Sequence, residues 1–345
     1  MDRLRALCEA IGVSGDEGAV RKIVIEAVKD HVDEIRADTL GNVIAVKKGT
    51  GRGVARMMVA AHMDEVGLMI VGIDSDGTLK FEPVGGLDDR VLLGKPVVVG
   101  ADRIPGVIGA KPVHLLKGPE AEQVVKMDSM RIDIGANSKE SAGRRVKPGD
   151  RATFTPSFAR IGNVVRGKAL DDRAGCAALI EILIGKPFVF DLHAAFTVQE
   201  EIGLRGARVA AHAIDPIAAF ILETTICDDL PKEDDVSPGT LLGNGPAITV
   251  MDRTAITDRR LVDHMIATAE SLRLPYQFKQ PGIGGTDAGA IHLARGGVPS
   301  VVVSVPCRYL HAPIAMMSQA DFCNEITLVR AALDRLTPAV FKRKG

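Results

Sequence analysis

The sequence contains no tryptophan, and aromatic residues make up only 3% of it. Surfaces that bind sugars or unpaired bases rely on aromatic platforms, so this scarcity argues against such ligands. The formal net charge is -1, from 43 basic and 44 acidic residues. This balance gives no electrostatic reason to expect nucleic acid or an anionic membrane as a partner.

Three further features are missing. No apolar run approaches the roughly 20 residues that span a bilayer, and the charged start of the chain does not resemble a signal peptide. The cysteines have no C-x-x-C spacing, and we interpret them as reduced thiols; they are Cys8, Cys176, Cys227, Cys307 and Cys323. These absences predict a cytoplasmic protein with no membrane partner.

The 345 residues leave room for about two domains. Short strand-like segments broken by turns run from about residue 67 to 163, which favours a small β-barrel, with a sandwich as the alternative. On either side, apolar strands alternate with helices, as in an α/β sheet covered on both faces. We predict a three-layer α/β/α domain of residues 1–66 and 164–345 with an inserted small β-barrel domain of residues 67–163.

Capping signals predict where helices begin. Ser14 followed by Glu17 fits a capping box before residues with apolar side chains at helical spacing. Thr286 and Asp287 are interpreted as the cap of the helix that follows them. The acidic stretch from Cys227 to Asp235 is predicted to be a solvated loop.

Histidine and carboxylate side chains stand where the predicted strands end. In an open α/β sheet these ends meet at one edge, where binding sites form. Each such residue alone fits a loop position or a helix cap, and Asp171 or Asp172 fits an N-cap. Their coincidence is what predicts a site; the residues are His62, Asp64, Asp171, Asp172, Glu200, Glu201, Glu223 and His311.

A site for two divalent metal ions needs about three nitrogen or oxygen ligands for each ion. Two histidines and three carboxylates can supply them, namely His62, Asp171, Glu201, Glu223 and His311. Such ions lower the pKa of a bridging water, so that a metal-bridging hydroxide becomes the nucleophile. Glu200 is then the candidate general base and acid, and Asp64 is suited to orient the His62 imidazole.

One geometric requirement follows from the adjacent glutamates. Neighbouring residues on a regular strand point to opposite faces, so Glu200 and Glu201 can serve one site only after the strand has ended. Gly203 nearby favours an irregular backbone. The same requirement weighs against a glycosidase, whose carboxyl groups stand about 5–9.5 Å apart across a sugar.

The chain resembles the glutamyl/deblocking aminopeptidases, dinuclear metallopeptidases with tetrahedral, TET-type members, over nearly its whole length. The motifs that carry the resemblance are Ala61–Gly67 (AHMDEVG), Lys168–Arg173 (KALDDR), Gln199–Gly203 (QEEIG), Gly284–Ala288 (GGTDA) and Arg308–His311 (RYLH). Within the inserted segment, Gly106–Pro112 (GVIGAKP) and Ile132–Ala136 (IDIGA) also match.

The resemblance implies a metal-dependent aminopeptidase that removes N-terminal residues from short peptides. It implies two divalent metal ions per subunit, zinc or cobalt, held by the five ligands named above. Asp171 rather than Asp172 is then the bridging ligand, with a cis peptide bond between the two. The family also implies that the inserted barrel mediates dimerisation and that dimers assemble further, into a dodecamer.

Two departures from the family pattern keep alternatives open. Many relatives carry Asp where this chain has Glu223, and they often carry Ser or Thr at the position of Ala312 and Glu at that of Ala315. Glu223 motivates a second hypothesis, a dinuclear-metal N-acyl amino acid deacylase or carboxypeptidase-like hydrolase. A third hypothesis is a non-catalytic assembly protein with the same fold, and the complete set of candidate ligands argues against it.

Overall fold

The computed structural model describes residues 1–51, 55–118, 122–229 and 239–341. These residues form a large mixed β-sheet, covered by helices on both faces, and a closed six-stranded barrel. The prediction of an α/β fold with an inserted small barrel is confirmed, and the sandwich alternative is wrong.

Strands lie in both parts of the molecule, and β4 to β9 form the barrel. Their bounds are β1 (Glu34–Ala37), β2 (Val43–Lys47), β3 (Arg56–His62), β4 (Gly67–Ile73), β5 (Leu79–Val84), β6 (Pro96–Val99), β7 (Ile104–Gly109), β8 (Arg131–Asp133), β9 (Arg151–Phe154), β10 (Phe158–Ile161), β11 (Val164–Gly167), β12 (Asp191–Thr197), β13 (Ala218–Ile226), β14 (Ala247–Ile248), β15 (Gln277–Phe278), β16 (Ser300–Arg308) and β17 (Ala315–Ser318).

The helices within the described residues are α1 (Asp2–Glu9), α2 (Gly18–Val28), α3 (Lys139–Gly143), α4 (Leu170–Ile184), α5 (Arg205–Ile214), α6 (Arg259–Leu272), α7 (Ala288–Ile291) and α8 (Gln319–Asp334). The first turn of α4 is irregular, because Asp171 and Asp172 do not have helical dihedral angles. Among the helices of these described ranges, none has the length and apolar character needed to cross a membrane.

Four parallel strands form the centre of the sheet, whose main order is β1-β2-β12-β3-β13-β16-β17-β11-β10. They are apolar without alternation, since both of their faces are buried, and Met57–Ala61 is an example. Helices α1, α2, α4, α6 and α8 pack on one face, and α5 and α7 pack on the other. This arrangement brings the carboxyl ends of the central strands to one edge.

The barrel closes in the order β4-β5-β8-β7-β6-β9 and has a hydrophobic core of its own. Some of its strands alternate between buried and exposed residues, as strands with one solvated face do. In β7, for example, Ile104 and Ile108 are buried, whereas Val107 is exposed. All six barrel strands lie between residues 67 and 154.

The first residues of the chain differ from the prediction in two ways. Helix α1, which buries Leu4, Leu7 and Cys8, was not predicted. The predicted capping box is wrong, because α2 begins at Gly18 without a side-chain cap and the Ser14 hydroxyl donates to Asp64 at 2.6 Å.

Two later assignments also differ. Glu223 was predicted to follow the end of a strand, but β13 continues to Ile226, because it remains paired with β16 over that length. Asp287 provides no side-chain cap to α7; its carboxylate instead accepts a hydrogen bond from the Thr197 hydroxyl. Of the predicted acidic loop, residues 230–235 lie outside the described residues.

Three charged residues, Glu65, Lys168 and Arg173, are buried together beneath the edge of the sheet; we call them the buried ion cluster. Lys168 Nζ donates to both carboxylate oxygens of Glu65 at 2.7 Å, and Arg173 lies 3.2 Å from one of them. Burial alone would raise the pKa of Glu65, but the two cations lower it overall. Both cations also donate to the Ala10 carbonyl, so the cluster joins the segment after α1 to β3 and α4.

We predict that Lys168→Met lowers the free energy of unfolding by about 3–5 kcal/mol, because it leaves buried charges without their partner. Lys48→Met is the matched control, since Lys48 forms an exposed pair with Glu34 at 3.4 Å. This control should cost less than about 1 kcal/mol. Urea unfolding of the two variants checks the prediction, and equal losses would contradict a structural role for the cluster.

Candidate metal centre

The carboxyl ends of the central strands bring the predicted residues to one edge of the sheet. His62 is the last residue of β3, and Glu200 and Glu201 follow the end of β12. His311 follows β16, and Asp171 lies at the start of α4. Glu223 corrects the prediction, because it lies inside β13 rather than after it.

Asp171 lies between the two histidines. Its Oδ1 is 3.2 Å from Nε2 of His62, and its Oδ2 is 3.4 Å from Nε2 of His311. The two oxygens of one carboxylate therefore face two different imidazoles. A side chain in this position can contact two cations at once, as in two-metal sites with ions about 3.5–4 Å apart.

Two glutamates complete a group on each side of Asp171. Glu223 Oε1 is 3.7 Å from His62 Nε2, and Glu201 Oε2 is 3.3 Å from His311 Nε2. Ligand atoms of His62, Asp171 and Glu201 all lie within 4.8 Å of one another. The structure thus brings all five predicted ligand residues into one cluster with Asp171 at its centre.

Asp172 differs from Asp171 in what its carboxylate contacts. Its two oxygens accept hydrogen bonds from backbone amides, those of His62 at 3.2 Å and Gly175 at 2.9 Å. An oxygen of Asp172 also lies within 4.8 Å of ligand atoms of His62 and Glu223, but Asp172 does not line the cavity. The peptide bond between the two aspartates is cis.

The backbone after β12 is irregular, as the two adjacent glutamates require. Gln199 has a φ of 56° and Gly203 a φ of 117°, which are left-handed values. The Asp64 carboxylate holds this turn by accepting the amides of Glu200 at 3.0 Å and Glu201 at 3.2 Å. Both glutamates consequently line the same cavity.

Asp64 also contacts His62. The Nδ1 atom of His62 lies 3.1 Å from the backbone oxygen of Asp64 and 3.4 Å from its carboxylate. The hydroxyl of Ser14 donates to the same carboxylate. Ser14 is therefore part of the site's support, which its sequence context did not reveal because the pattern around it resembles a helix cap.

The second histidine is held by the inserted segment. Nδ1 of His311 lies 2.8 Å from the backbone oxygen of Gly86, in the loop after β5. The side chain of His311 is 38% exposed, whereas that of His62 is 2% exposed. His311 is thus the more exposed of the two histidines, although both of them line the cavity.

The pKa shifts in the cluster reflect a surplus of buried negative charge. Burial raises the pKa of Glu200, Glu201 and Glu223. Burial alone would lower the pKa of His62, but Glu223, Asp171 and Asp64 raise it well above its usual value. In the same way, Asp171 and Glu201 outweigh burial and raise the pKa of His311 to about 11.

The donor set fits divalent cations. Glu201 Oε1 is buried and has no hydrogen-bond partner among the described residues, whereas Oε2 of the same carboxylate faces the His311 imidazole. A buried oxygen of this kind needs a positive partner, because an unpaired buried charge is costly. Imidazole and carboxylate ligands suit zinc, cobalt and manganese alike.

The cluster opens into a cavity of about 430 Å³. The cavity is also lined by Thr225, Ile226, Thr254, Lys279 and Ile283, none of which the sequence analysis identified. These residues come from β13 and from loops whose relative positions depend on tertiary packing. The pattern of apolar residues along the chain carries no signal for them.

Glu325, on α8, is buried behind the cluster. Neither of its carboxylate oxygens forms a hydrogen bond within the part of the chain that the structure describes. Burial raises its pKa well above the usual value, and the nearby backbone amide of Glu223 offsets only part of this effect.

The chain is similar to known proteins over almost its full length. A family model described as M42 glutamyl aminopeptidase matches residues 41–328. Lysyl aminopeptidase from Pyrococcus furiosus is 35% identical over 349 residues, which cover 98% of this chain and 98% of the relative. Among solved structures, a TET aminopeptidase from a marine sediment Thaumarchaeota archaeon is 38% identical with a TM-score of 0.95, covering 99% and 97% of the two chains.

A second structure, the TET1 peptidase from Pyrococcus horikoshii, is 35% identical with a TM-score of 0.87 and covers 97% of this chain and 99% of its own. That protein is described as assembling into a tetrahedron or a large octahedral shell.

We predict that Glu325→Met stabilises the fold by about 1–3 kcal/mol at pH 7, because it removes a buried carboxyl group that lacks a partner. The pKa of Glu325 is raised in the folded state, so the unfolded chain loses its proton first as the pH rises. The cost of the native carboxyl group therefore grows above about pH 4.3.

Urea unfolding at pH 4.5 and pH 7 measures this difference. The gain should be larger at pH 7, and Glu82→Met, at an exposed position, should show no such change. A Glu325 variant that is less stable at pH 7 would contradict the prediction.

Proposed function

The chain belongs to the M42 glutamyl aminopeptidase family, and we propose that the cluster around Asp171 is its active site. The family and its relatives make this protein an aminopeptidase, a metal-dependent hydrolase that acts on peptide bonds. The observation that carries the proposal is the Asp171 carboxylate, which presents one oxygen to each of two histidines.

We propose two divalent cations per subunit, zinc or cobalt. His62, Asp171 and Glu223 would hold one, and His311, Asp171 and Glu201 would hold the other. When bound, such ions polarise the scissile carbonyl and activate a water molecule for attack. The longer side chain of Glu223 is accommodated because its Oε2 accepts the Thr224 amide at 2.9 Å, which leaves Oε1 facing His62.

Glu200 is the proposed general base and acid. It lines the cavity beside the cluster, and its side chain makes no hydrogen bond to any residue in the described ranges. Burial raises its pKa well above the usual value, so its carboxylate accepts a proton from water more readily than an exposed glutamate does. The same proton can then pass to the amine that leaves with the shortened peptide.

Asp64 is the proposed positioning residue, both for the metal ligand His62 and for the base Glu200. It contacts the His62 imidazole and accepts the backbone amides of Glu200 and Glu201. One carboxylate thereby fixes a candidate ligand and the candidate base relative to each other. Such contacts behind the ligands determine their orientation and tune the metal.

Self-association through the inserted domain of residues 67–163 is part of the proposal, as a dimer that assembles further into a dodecamer. Several large apolar side chains are exposed on this segment, and an interface between copies would cover them. They are Val71, Leu93, Val107, Leu115 and Val124. A cytoplasmic location is also proposed, and it is supported by five cysteines of which none forms a disulfide.

The activity is tested with a panel of aminoacyl-p-nitroanilides after addition of zinc or cobalt, with a chelator control. N-acetylated amino acids are assayed alongside. We expect chelator-sensitive release from the free-amino substrates alone. Cleavage of the acetylated set alone would instead support the deacylase hypothesis that Glu223 motivated.

We predict that Glu200→Gln retains its metal but lowers kcat by about 10²- to 10⁴-fold, because the amide cannot accept the proton. Asp171→Ala should lose bound metal as well as activity, since it removes the shared ligand. Glu26→Gln, at an exposed position on α2, is the control and should change neither property. Elemental analysis measures the metal content of each variant, and steady-state kinetics measures its kcat. An active Glu200→Gln enzyme would rule out Glu200 as the general base.

A further inference from the structure

Asp252 is a buried carboxylate that lies outside the metal cluster and does not line its cavity. It is 5% exposed and belongs to a tight turn in which Met251 pairs with Ile256. Its Oδ1 accepts the backbone amides of Thr254 at 2.7 Å and Ala255 at 2.8 Å, and also the Thr254 hydroxyl at 2.8 Å. One oxygen thus fixes both the turn and the orientation of the Thr254 side chain.

The other oxygen of Asp252 binds a second loop. Oδ2 accepts the hydroxyl of Thr286 at 3.1 Å, and the amide of Thr286 donates to the Thr254 hydroxyl at 3.3 Å. The Gly284 carbonyl accepts the amide of Arg253 at 2.8 Å. Asp252 therefore joins two loops that are distant in sequence, and both of them line the cavity, through Thr254 and Gly284.

The two loops pack against each other where they line the cavity. A Cβ atom on Gly285 would lie 2.6 Å from Cγ2 of Thr254, and both of these residues line the cavity. A Cβ atom on Gly289, in α7, would lie 2.4 Å from Cβ of Thr254. Thr254 therefore packs directly against main chain, and its position sets the position of this wall of the cavity.

The residue after Thr286 contacts the strand that leads to the candidate base. The Asp287 carboxylate accepts the hydroxyl of Thr197, the last residue of β12, at 2.5 Å. Glu200 follows three residues later. The series of contacts that begins at Asp252 consequently extends from one wall of the cavity to the turn that carries the base.

We propose that Asp252 is a positioning residue for the reaction, which holds the wall at Thr254 and the turn with Glu200 at the separation that a bound substrate requires. This inference rests on the proposed function and adds a residue that touches neither substrate nor metal. Asp252 acts through Thr254 and Thr286, which bind its two oxygens. A displacement of about 1 Å at such a distance from the chemistry can slow a reaction about 10²-fold.

The first test measures kcat and KM for Leu-p-nitroanilide, together with metal content and circular dichroism. Asp252→Ala should keep its metal and its fold but lower kcat/KM roughly 10- to 100-fold, because the two loops are no longer joined. Asp252→Asn should stay within about threefold of the wild type, since its oxygen accepts the same amides and its NH₂ group donates to the Thr286 hydroxyl. An Asn variant as slow as the Ala variant would overturn the inference.

Two ligands separate positioning from general damage to the metal cluster. Acetohydroxamate is small and binds through metal ions alone, whereas leucine hydroxamate also fills the cavity. Calorimetry on metal-loaded Asp252→Ala should show a Kd for leucine hydroxamate raised about tenfold and an unchanged Kd for acetohydroxamate. Equal losses for both ligands would mean that the metal cluster itself is damaged, and the inference would be wrong.

A compensating pair tests the contact between the loops while Asp252 stays intact. Gly285 does not have a left-handed φ, so Gly285→Ala introduces only the clash with the Thr254 methyl group and should lower kcat/KM as Asp252→Ala does. Thr254→Ser removes that methyl group and keeps the hydroxyl. The double variant should therefore recover most of the loss, and a double variant as slow as Gly285→Ala would contradict the inference.

Asp76→Ala is the matched control. Oδ1 of Asp76 accepts the amide of Thr78 at 3.0 Å and its hydroxyl at 2.8 Å, which is the same turn that Asp252 forms with Thr254, but it lies between β4 and β5 of the barrel. This control should change neither kcat/KM nor either Kd. If the wild type cleaves no free-amino substrate, the proposed function is wrong; the two Kd values need no turnover and report on Asp252 separately.

Discussion

The buried contact of Glu65 with Lys168 and Arg173 positions the part of the chain that carries the candidate shared ligand. Lys168 and Arg173 stand on either side of Asp171 in sequence, so the carboxylate that binds both of them also fixes the irregular first turn of α4, which presents Asp171. Glu65 itself follows His62 and Asp64 at the end of β3. One buried carboxylate therefore holds the first turn of α4, with the candidate shared ligand, against the end of β3, with the first histidine.

The same region concentrates negative charge that the protein alone does not balance. The Asp64 carboxylate accepts hydrogen bonds from two backbone amides and the Ser14 hydroxyl, and the Asp172 carboxylate accepts two more from backbone amides. Asp171, Glu201 and Glu223 remain and face the two imidazoles. Carboxylates whose two oxygens both accept backbone amides thus support the site, whereas Asp171, Glu201 and Glu223 each keep at least one oxygen that faces an imidazole and is available to a cation.

Much of the architecture could be predicted because it depends on local patterns. Uninterrupted apolar runs marked the central strands, and the chemistry of His and carboxylate side chains at their ends identified the cluster. Predictions failed where a distant partner decides the outcome. Ser14 resembles a helix cap but donates to Asp64, and β13 continues past Glu223 because β16 pairs with it. Lys279 was missed since only tertiary packing brings its loop to the cavity of the cluster.

The contact between Gly86 and His311 limits how the inserted barrel can be exchanged or lost. The barrel is inserted between two halves of another domain, which suggests a module that could be exchanged or lost. Yet a carbonyl from the loop after β5 holds the imidazole of His311. Deleting the insertion would release that imidazole, so the two domains must vary together, and a graft between relatives has to carry the loop along with the barrel.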